Sequence, residues 1–513
     1  MSQTIVSAAP EQDAPTGVPG SFRFAFSSPV RLRKEVLAGL AVALALIPEA
    51  IAFSILAGVD PAVGLFSSVV MAIVIAFTGG RPAMITAATG AIALVVAPVA
   101  RDYGMDYFIA TVLLAGVFQI ALAAFGVAKL MRFIPRSVMT GFVNALGILI
   151  FTAQLEHLID VPWLVYPLVA VGVLIMIFFP RLTSVIPAPL ITIIVITGLV
   201  LLAGWNVPDV ADMGELPNSL PALFIPDVPL NLETLQIIAP YAFAMAMVGL
   251  MESLMTAKLV DDITDVHSDK TRESWGQGVA NIASGFFGGM GGCAMIGQTM
   301  INVRESGART RLSTFLAGVF LLVLLLTIGD IVGMIPMAAL VAIMIMVSIG
   351  TVDWHSVHPR TLKLMPLSET IVMVVTVVAT LATHNLAIGV GLGVVTAMIM
   401  FARRVAHIAS IEKVAELDTD HDGRIDTRTY RVTGQLFWAS SNDLVYSFDY
   451  NDTADHIVVD MTDAEIWDAS TVATLDAITQ KFHDRGKTVS IIGLDGPSQD
   501  RLDRLSGKLG AGH

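Results

Sequence analysis

A chain of 513 residues that is 55% hydrophobic and only 14% charged departs from soluble proteins, which carry about 25% charge. The net charge of −13 removes the electrostatic case for nucleic acid as a partner, and the single cysteine, Cys293, excludes a disulfide scaffold. No Cys/His zinc spacing, P-loop or HExxH occurs, so the sequence implies no metal, no cofactor and no enzyme.

Residues 1–30 read as a polar cytoplasmic tail with Pro10, Pro15, Gly17, Pro19 and Gly20 and no signal-peptide core. A bilayer-spanning helix needs about 20 apolar residues. Fourteen apolar segments follow, the first seven near 35–57, 62–78, 87–100, 107–130, 137–158, 163–179 and 187–203. The second seven lie near 234–259, 273–289, 295–303, 310–330, 336–350, 367–383 and 386–408. Segments three and ten are short and interrupted. Fourteen spans with the N-terminus inside put the basic residues from Arg31 to Arg404 on the cytoplasmic side, with only Arg101 outside. The loop 204–233 contains no Lys or Arg but holds Asp209, Asp212, Glu215, Asp227 and Glu233. The implied setting is the inner (plasma) membrane, with lipid as partner and both termini cytoplasmic.

Past Ala409 the composition turns polar. Residues 410–428 read as a linker, and 429–513 as a small α/β domain with strands at 429–437, 456–462 and 487–494 and a helix at 470–484. From Glu412 onward there are 19 acids against 10 Lys and Arg, which speaks against an anionic lipid surface for this part. "DTDHDGRID" (418–426) resembles the start of a calcium loop, but Thr429 stands where the loop needs its twelfth-position Glu. Gly389, Gly391 and Gly393 form a GxGxG inside a membrane segment, where helix packing explains them better than a nucleotide does.

The two membrane halves repeat. "FTGGRPAMI" (77–85) matches "FGGMGGCAMI" (287–296) with one insertion, and Ile134-Pro135 before segment five matches Ile335-Pro336 before segment twelve. Seven segments per half is an odd number, so the halves are inverted relative to each other, as in transporters with a midplane site.

Broken helices end in free backbone N–H groups and a positive dipole end, an anion site that needs no lysine. "ITAATGAIALVV" (85–96) and "CAMIGQTMINV" (293–303) read as two such half-helix starts. Thr89, Gln298 and Thr299 add side-chain donors, and Gly90 and Gly297 permit close backbone approach. Glu49, after Pro48, and Glu252, in "VGLMESLM", lie inside apolar stretches. An acid at a helix centre costs at least about 2.5–3.5 kcal/mol to insert, which marks both as functional candidates. Beside an anion site a permanent negative charge repels the substrate, and a proton or Na⁺ on the acid removes that repulsion. Phe53, one turn after Glu49, faces the same side, as a pocket wall or toward lipid. Cys293 reads as a small packing residue. Asp261, Asp262 and Thr264 read as solvated at the cytoplasmic face.

At these residues the chain resembles the sulfate permease (SulP) family, also called solute-carrier family 26. "IPEAIAFSILAGVDPAVGLFSS" (47–68), "VGLMESLMTAK" (248–258), "GQGVANIASGFFGGMGGCAMIGQT" (276–299) and "IPMAALVAIMI" (335–345) match its signatures, and the C-terminal domain resembles the family's STAS domain. The resemblance implies a 14-segment seven-plus-seven inverted repeat within 31–409. Its core is 31–132 and 234–331, its gate 133–233 and 332–409, and a STAS domain follows at 429–513. It also implies a homodimer, an elevator mechanism, and a small anion held between half-helices three and ten: sulfate, chloride, bicarbonate or a dicarboxylate such as fumarate. Three departures stand out. Glu49 replaces a common Gln, no Arg stands near Thr299, and the usual Gly-Pro of the third segment is Ala87-Ala88. Losing a fixed cation while gaining an acid favours symport, with H⁺ ahead of Na⁺ because carboxylates alone take a proton. In the STAS-like domain, Ser470 stands where related signalling domains carry a phosphorylatable serine, and it also reads as a helix N-cap. The alternatives are a Na⁺-coupled bicarbonate symporter, a nucleobase–cation symporter of the same architecture, and an anion sensor with STAS output.

Overall fold

The computed structural model describes residues 15–126, 129, 134–182, 187–216, 220–406, 409–417, 425–441 and 444–508. The chain divides into two units at Val394/Val395.

The first unit is helical because its sequence is long apolar runs punctuated by Pro, Gly and Asn at their ends. It opens with α1 (Val18–Ala25), α2 (Pro29–Ala57) and α3 (Pro61–Thr78), each with Pro in its first turn. Then come the two-residue strand β1 (Thr86–Ala87), α4 (Gly90–Tyr103), α5 (Met105–Ala124), α6 (Arg136–Glu156), α7 (Val165–Phe178) and α8 (Ala188–Ala203). The second half carries α9 (Leu232–Thr264), α10 (Lys270–Phe286) and β2 (Cys293–Ala294). Next is α11 (Ile296–Met300), which runs on as a π-helical turn, Ile301–Glu305. The remaining helices are α12 (Arg311–Gly333), α13 (Met337–Thr351), the short α14 (Trp354–Val357) and α15 (Pro359–Leu364), α16 (Leu367–Thr383) and α17 (Leu386–Ala406). Among the described residues six helices are long and apolar enough to cross a membrane: α2, α3, α5, α6, α9 and α17. Helices α7, α8, α12, α13 and α16 contribute shorter apolar stretches.

Packing sorts the helices into two groups. One joins α2, α3, α4, α5, α9, α10 and α12; the other joins α6, α7, α8, α13 and α16. Between the groups, α13 and α8 touch α2, and α6 touches α4. The crossing of α5 on α10 is set by two glycines: a Cβ on Gly116 would lie 2.6 Å from the Gly278 carbonyl, and one on Gly278 would lie 2.6 Å from the Gly116 carbonyl. Small residues that let backbones meet are the usual device where lipid removes the hydrophobic drive for association. The glycines of α17 do the same, with Gly389 and Gly393 set against the hydroxyls of Thr380 and Thr376. Helices α6 and α13 begin alike, after Pro135 (φ −64°, ψ 149°) and Pro336 (φ −63°, ψ 137°).

Buried carboxylates fix the loops at the helix ends. Glu273 accepts the N–H groups of Gly80 at 2.7 Å and Arg81 at 3.0 Å, and Glu35 accepts those of Arg309 at 2.9 Å and Thr310 at 3.1 Å. Asp261 is buried between Arg81 (3.2 Å) and Lys270 (2.7 Å), and the Thr264 hydroxyl accepts from Arg81. The expectation that Asp261 and Thr264 are solvated is therefore corrected; Asp262 alone is exposed. A buried arginine needs a paired acid, and position 81 supplies the arginine.

The second unit is a four-stranded sheet, β3 (Ser410–Leu417), β4 (Thr427–Leu436), β5 (His456–Ile466) and β6 (Thr488–Ile492), in that spatial order. β3 pairs antiparallel with β4, while β4–β5 and β5–β6 are parallel. The short helices α18 (Trp438–Ser441) and α19 (Leu444–Ser447) come before β5, and the crossover helix α20 (Ala469–His483) lies between β5 and β6. It packs Val472, Leu475, Ile478 and Phe482 onto Tyr430, Val432, Ile457 and Val459 of the sheet, and α21 (Gly496–Leu505) follows β6. Two expectations change here. Residues 410–417, read as linker, form the edge strand β3, whose Glu412, Lys413 and Glu416 mask its alternation. The N-cap of α20 is Asp468, which accepts the Thr471 N–H at 3.0 Å, and not Ser470. Residues 418–424 of the calcium-loop resemblance lie outside the described residues.

Candidate functional site

The site grows from the two interrupted segments. β1 and β2 pair antiparallel, with Thr86 opposite Ala294 and Ala87 opposite Cys293. Each strand leads into a helix start, α4 at Gly90 and α11 at Ile296, so both helix N-termini lie at one short ladder. The approach is close enough that a Cβ on Gly292 would lie 1.9 Å from the Ala87 carbonyl oxygen.

Polar side chains hold this ladder from several helices. Gly292 donates to Asn281 Oδ1 (2.8 Å), and Asn281 Nδ2 donates to the Gly292 carbonyl (3.1 Å) and to Gln119 Oε1 (2.9 Å). From α9, the Ser253 hydroxyl accepts the Ala294 N–H at 3.0 Å, and Thr256 donates to the Ala294 carbonyl at 3.3 Å. From α3, Ser68 accepts the Ala88 N–H at 3.3 Å, and Ser67 donates to the Gly291 carbonyl at 2.8 Å. A two-residue strand cannot satisfy its own backbone, so these side chains do it. The sequence reading passed over them; their signal is Gln119 and the serines of α3 and α9 inside mostly apolar segments, and Asn281 among the polar residues of α10.

Against this frame the expected site residues take definite places. Thr89 caps α4, accepting the Ile92 N–H at 3.5 Å. Phe53 is buried with its ring on Gly90, where a Cβ would lie 2.8 Å from the ring. Of the two earlier readings of Phe53, contact with lipid is set aside. Gly297 is exposed, and a Cβ there would meet open space, whereas its neighbours Gln298 and Thr299 are buried. The Gln298 side chain meets the carboxyl of Glu49, which is itself buried on α2. Thr299 is engaged differently, its hydroxyl accepting the Ile85 N–H at 3.0 Å and tying α11 to the run into β1. Glu252 is partly exposed on α9, and the Cys293 thiol donates to its Oε2 at 2.8 Å. The same sulfur lies 3.1 Å from the Thr89 hydroxyl. Cys293 is thus a polar bridge as well as the buried packing residue read from the sequence.

The structure therefore gathers Glu49, Phe53, Thr89, Gly90, Glu252 and Gln298 around the two helix starts, with Gly297 open beside them. Such a place offers backbone N–H groups to an anion and carboxyls to a cation.

Known proteins point the same way. The sequence pattern of the Sulfate permease family matches residues 32–165 and 160–376. The chain is 48% identical to the Putative sulfate transporter YbaR of Bacillus subtilis (strain 168), over 93% of this chain and 97% of that protein. It is 24% identical to the Bicarbonate transporter BicA of Picosynechococcus sp., over 92% and 91%. Among solved structures, the transmembrane domain of a cyanobacterial BicA superposes with a TM-score of 0.62 at 25% identity, covering 72% of this chain and 98% of that one. Murine Slc26a9, an anion transporter solved in the inward-facing state, superposes with a TM-score of 0.80 at 15% identity, covering 98% and 92%. That likeness of fold extends through the C-terminal sheet. With most of the membrane unit matched and such identity along nearly the whole length, the chain belongs to the sulfate permease (SulP, solute-carrier 26) family of multi-pass anion transporters, a family of carriers and not of enzymes.

Proposed function

We propose that the protein is a secondary active symporter that takes up a small anion, sulfate, bicarbonate or a dicarboxylate such as fumarate, together with protons. The anion sits between the N-termini of α4 and α11, lined by Phe53, Thr89, Gly90, Gly297, Gln298 and Thr299. Glu49 and Glu252 carry the coupling proton. The observation that supports this reading most is the antiparallel β1–β2 pair, which turns two helix starts from opposite halves of the chain toward one place between two acids. Two helix N-termini supply partial positive charge without a lysine. A proton on either acid removes a repulsion that the bare carboxylate exerts on the anion.

The same reading carries the architecture. Fourteen membrane segments form a seven-plus-seven inverted repeat, since antiparallel pairing of equivalent strands is what a two-fold axis in the membrane plane makes. The group of α2–α5, α9, α10 and α12 is the moving core, with α11 carried in it. The group of α6–α8, α13 and α16 is the gate against which it slides. The protein is a homodimer in the inner membrane, with its N-terminus and STAS-like domain cytoplasmic.

The test is uptake by the purified full-length protein in liposomes. Radiolabelled sulfate, bicarbonate, chloride and fumarate are offered under separate inward H⁺ and Na⁺ gradients. Accumulation driven by H⁺ alone is expected. Accumulation driven only by Na⁺ moves the coupling role to a metal ion, and no accumulation of any anion leaves the membrane unit a sensor.

A further inference from the structure

We propose that Cys293 reports the charge of Glu252 to the anion pocket, through a hydrogen-bond chain Glu252–Cys293–Thr89 whose direction reverses when Glu252 gains a proton. The inference rests on the symport reading above and supplies the device that links its two ligands.

Three side chains from three elements meet in a line. Cys293 Sγ is 2.8 Å from Glu252 Oε2 and 3.1 Å from Thr89 Oγ1. Cys293 is fully buried and Thr89 nearly so. Each of the two middle groups has one hydrogen to give, so the direction of the chain is set by its end. An ionised Glu252 only accepts. The thiol then donates to it, and the Thr89 hydroxyl donates to the sulfur. The hydroxyl proton is spent, and Thr89 shows only lone pairs to the start of α4, where it already accepts from Ile92 N–H. A protonated Glu252 donates to the sulfur instead. The S–H then turns to Thr89 Oγ1, and the hydroxyl proton is released toward the anion. No proton travels along the chain: Glu252 takes its proton from water and returns it there, and only the S–H and O–H bonds rotate.

The surroundings suit a two-way chain. The titratable groups at the site are Glu252 on α9 and Glu49 on α2. The elements packed around the thiol add Thr89, Gln119, Asn281 and Gln298, none of which titrates. Glu252 Oε2 is the carboxyl oxygen within hydrogen-bond distance of the Cys293 thiol. Gln119 Nε2 is buried without a partner among the described residues. A Cβ on Gly249 would lie 2.9 Å from that nitrogen and 3.6 Å from the Cys293 Cβ. An unspent donor thus ends on the helix face that Cys293 packs against, one turn before Glu252. Around a thiol this buried, hydrogen bonds to an ion are strong and their orientation is decisive.

The experiment uses full-length protein in liposomes and whichever of sulfate, fumarate, chloride and bicarbonate the wild type accumulates. For wild type the KM is expected to fall about tenfold from alkaline to acid pH, the scale of one hydrogen bond to a charged group. Cys293→Ala leaves the Thr89 hydroxyl no sulfur on which to spend its proton, so KM should stay at its low, acid value at every pH, and Cys293→Ser should restore the pH dependence. A Cys293→Ala variant with the wild-type dependence overturns the proposal. A second readout needs no variant at Cys293. The chain has one thiol, so the S–H infrared stretch is unambiguous. The band should shift on acidification of wild type and stay still in Glu252→Gln; a band that never moves in wild type overturns the proposal. Should wild type move no anion with protons, the symport reading falls, while the S–H band still decides the chain.

Discussion

At the residue scale, the two acids and two glycines of the site make opposite demands. Glu252 is valuable only if it changes charge, so Glu252→Gln removes the charge while keeping size. Uptake driven by an imposed H⁺ gradient should vanish in that variant, with its elution on size exclusion unchanged; retained pumping would take Glu252 out of coupling. The glycines differ in what surrounds them. A Cβ on Gly90 would lie 2.8 Å from Phe53, whereas one on Gly297 would meet nothing. Overfilling a packed site costs about 1–3 kcal/mol. Gly90→Ala should therefore cut uptake about tenfold or more, with partial recovery in the double variant with Phe53→Leu, and Gly297→Ala should leave the folded yield at the wild-type level. Radiotracer uptake normalised to purified protein separates these cases. In the C-terminal unit the sensitive residue is Asp452. Burial pushes its carboxyl up, but Arg428 (2.8 Å), the Ala454 N–H and the Tyr430 hydroxyl (3.2 Å) outweigh burial and hold it at about 2. A carboxyl held below its unfolded value stabilises fully above about pH 4 and loses that stabilisation as pH falls toward 2. Asp452→Asn should lower stability at neutral pH by about 2 kcal/mol, because Arg428 loses its buried partner and keeps only the exposed Glu416, and should flatten the acid limb. Thermal denaturation across pH, followed in the C-terminal unit, measures both.

At the element scale, the β1–β2 ladder is the smallest part of the fold and the one most open to attack. Gly292→Ala would set a methyl 1.9 Å from the Ala87 carbonyl, a backbone atom that cannot swing away. The variant should lose uptake entirely while the C-terminal unit keeps its own melting transition; normal uptake would show that the ladder does not hold the site. This ladder also marks where reading the sequence ran out. Helices α2, α3, α9 and α10 were legible because apolar runs ending at Pro, Gly or Asn leave few other choices, and α4 and α11 because their runs are short and rich in Gly, Ala and Thr. The pairing of β1 with β2 was not legible, since two residues carry no period. The partners Ser67, Ser253 and Asn281 were hidden because each stands beside or near other polar residues of its helix, and nothing in the sequence says which of them reaches the ladder. That Cys293, a core residue as read, is also a polar bridge was not legible, because a thiol's polarity shows only when Glu252 and Thr89 are brought to it from 41 and 204 positions away in sequence. β3 escaped because an edge strand with charges on its open side looks like linker.

At the scale of the whole molecule, every residue assigned to the anion and the proton lies between Glu49 and Thr299, and the C-terminal unit has a hydrophobic core of its own. A domain with its own core and none of the site residues can alter how much transporter reaches the membrane or how fast it cycles, but it has no atom with which to choose an anion. Removing residues 407–513, which ends the chain just after α17, should therefore lower surface abundance or turnover and leave the order of preference among sulfate, bicarbonate, chloride and fumarate as it was. Competition uptake with each unlabelled anion, run on intact and truncated protein at equal reconstituted amount, measures the order directly. A changed order would mean that the sheet reaches into the pathway, and the assignment of selectivity to the two helix starts would fall with it.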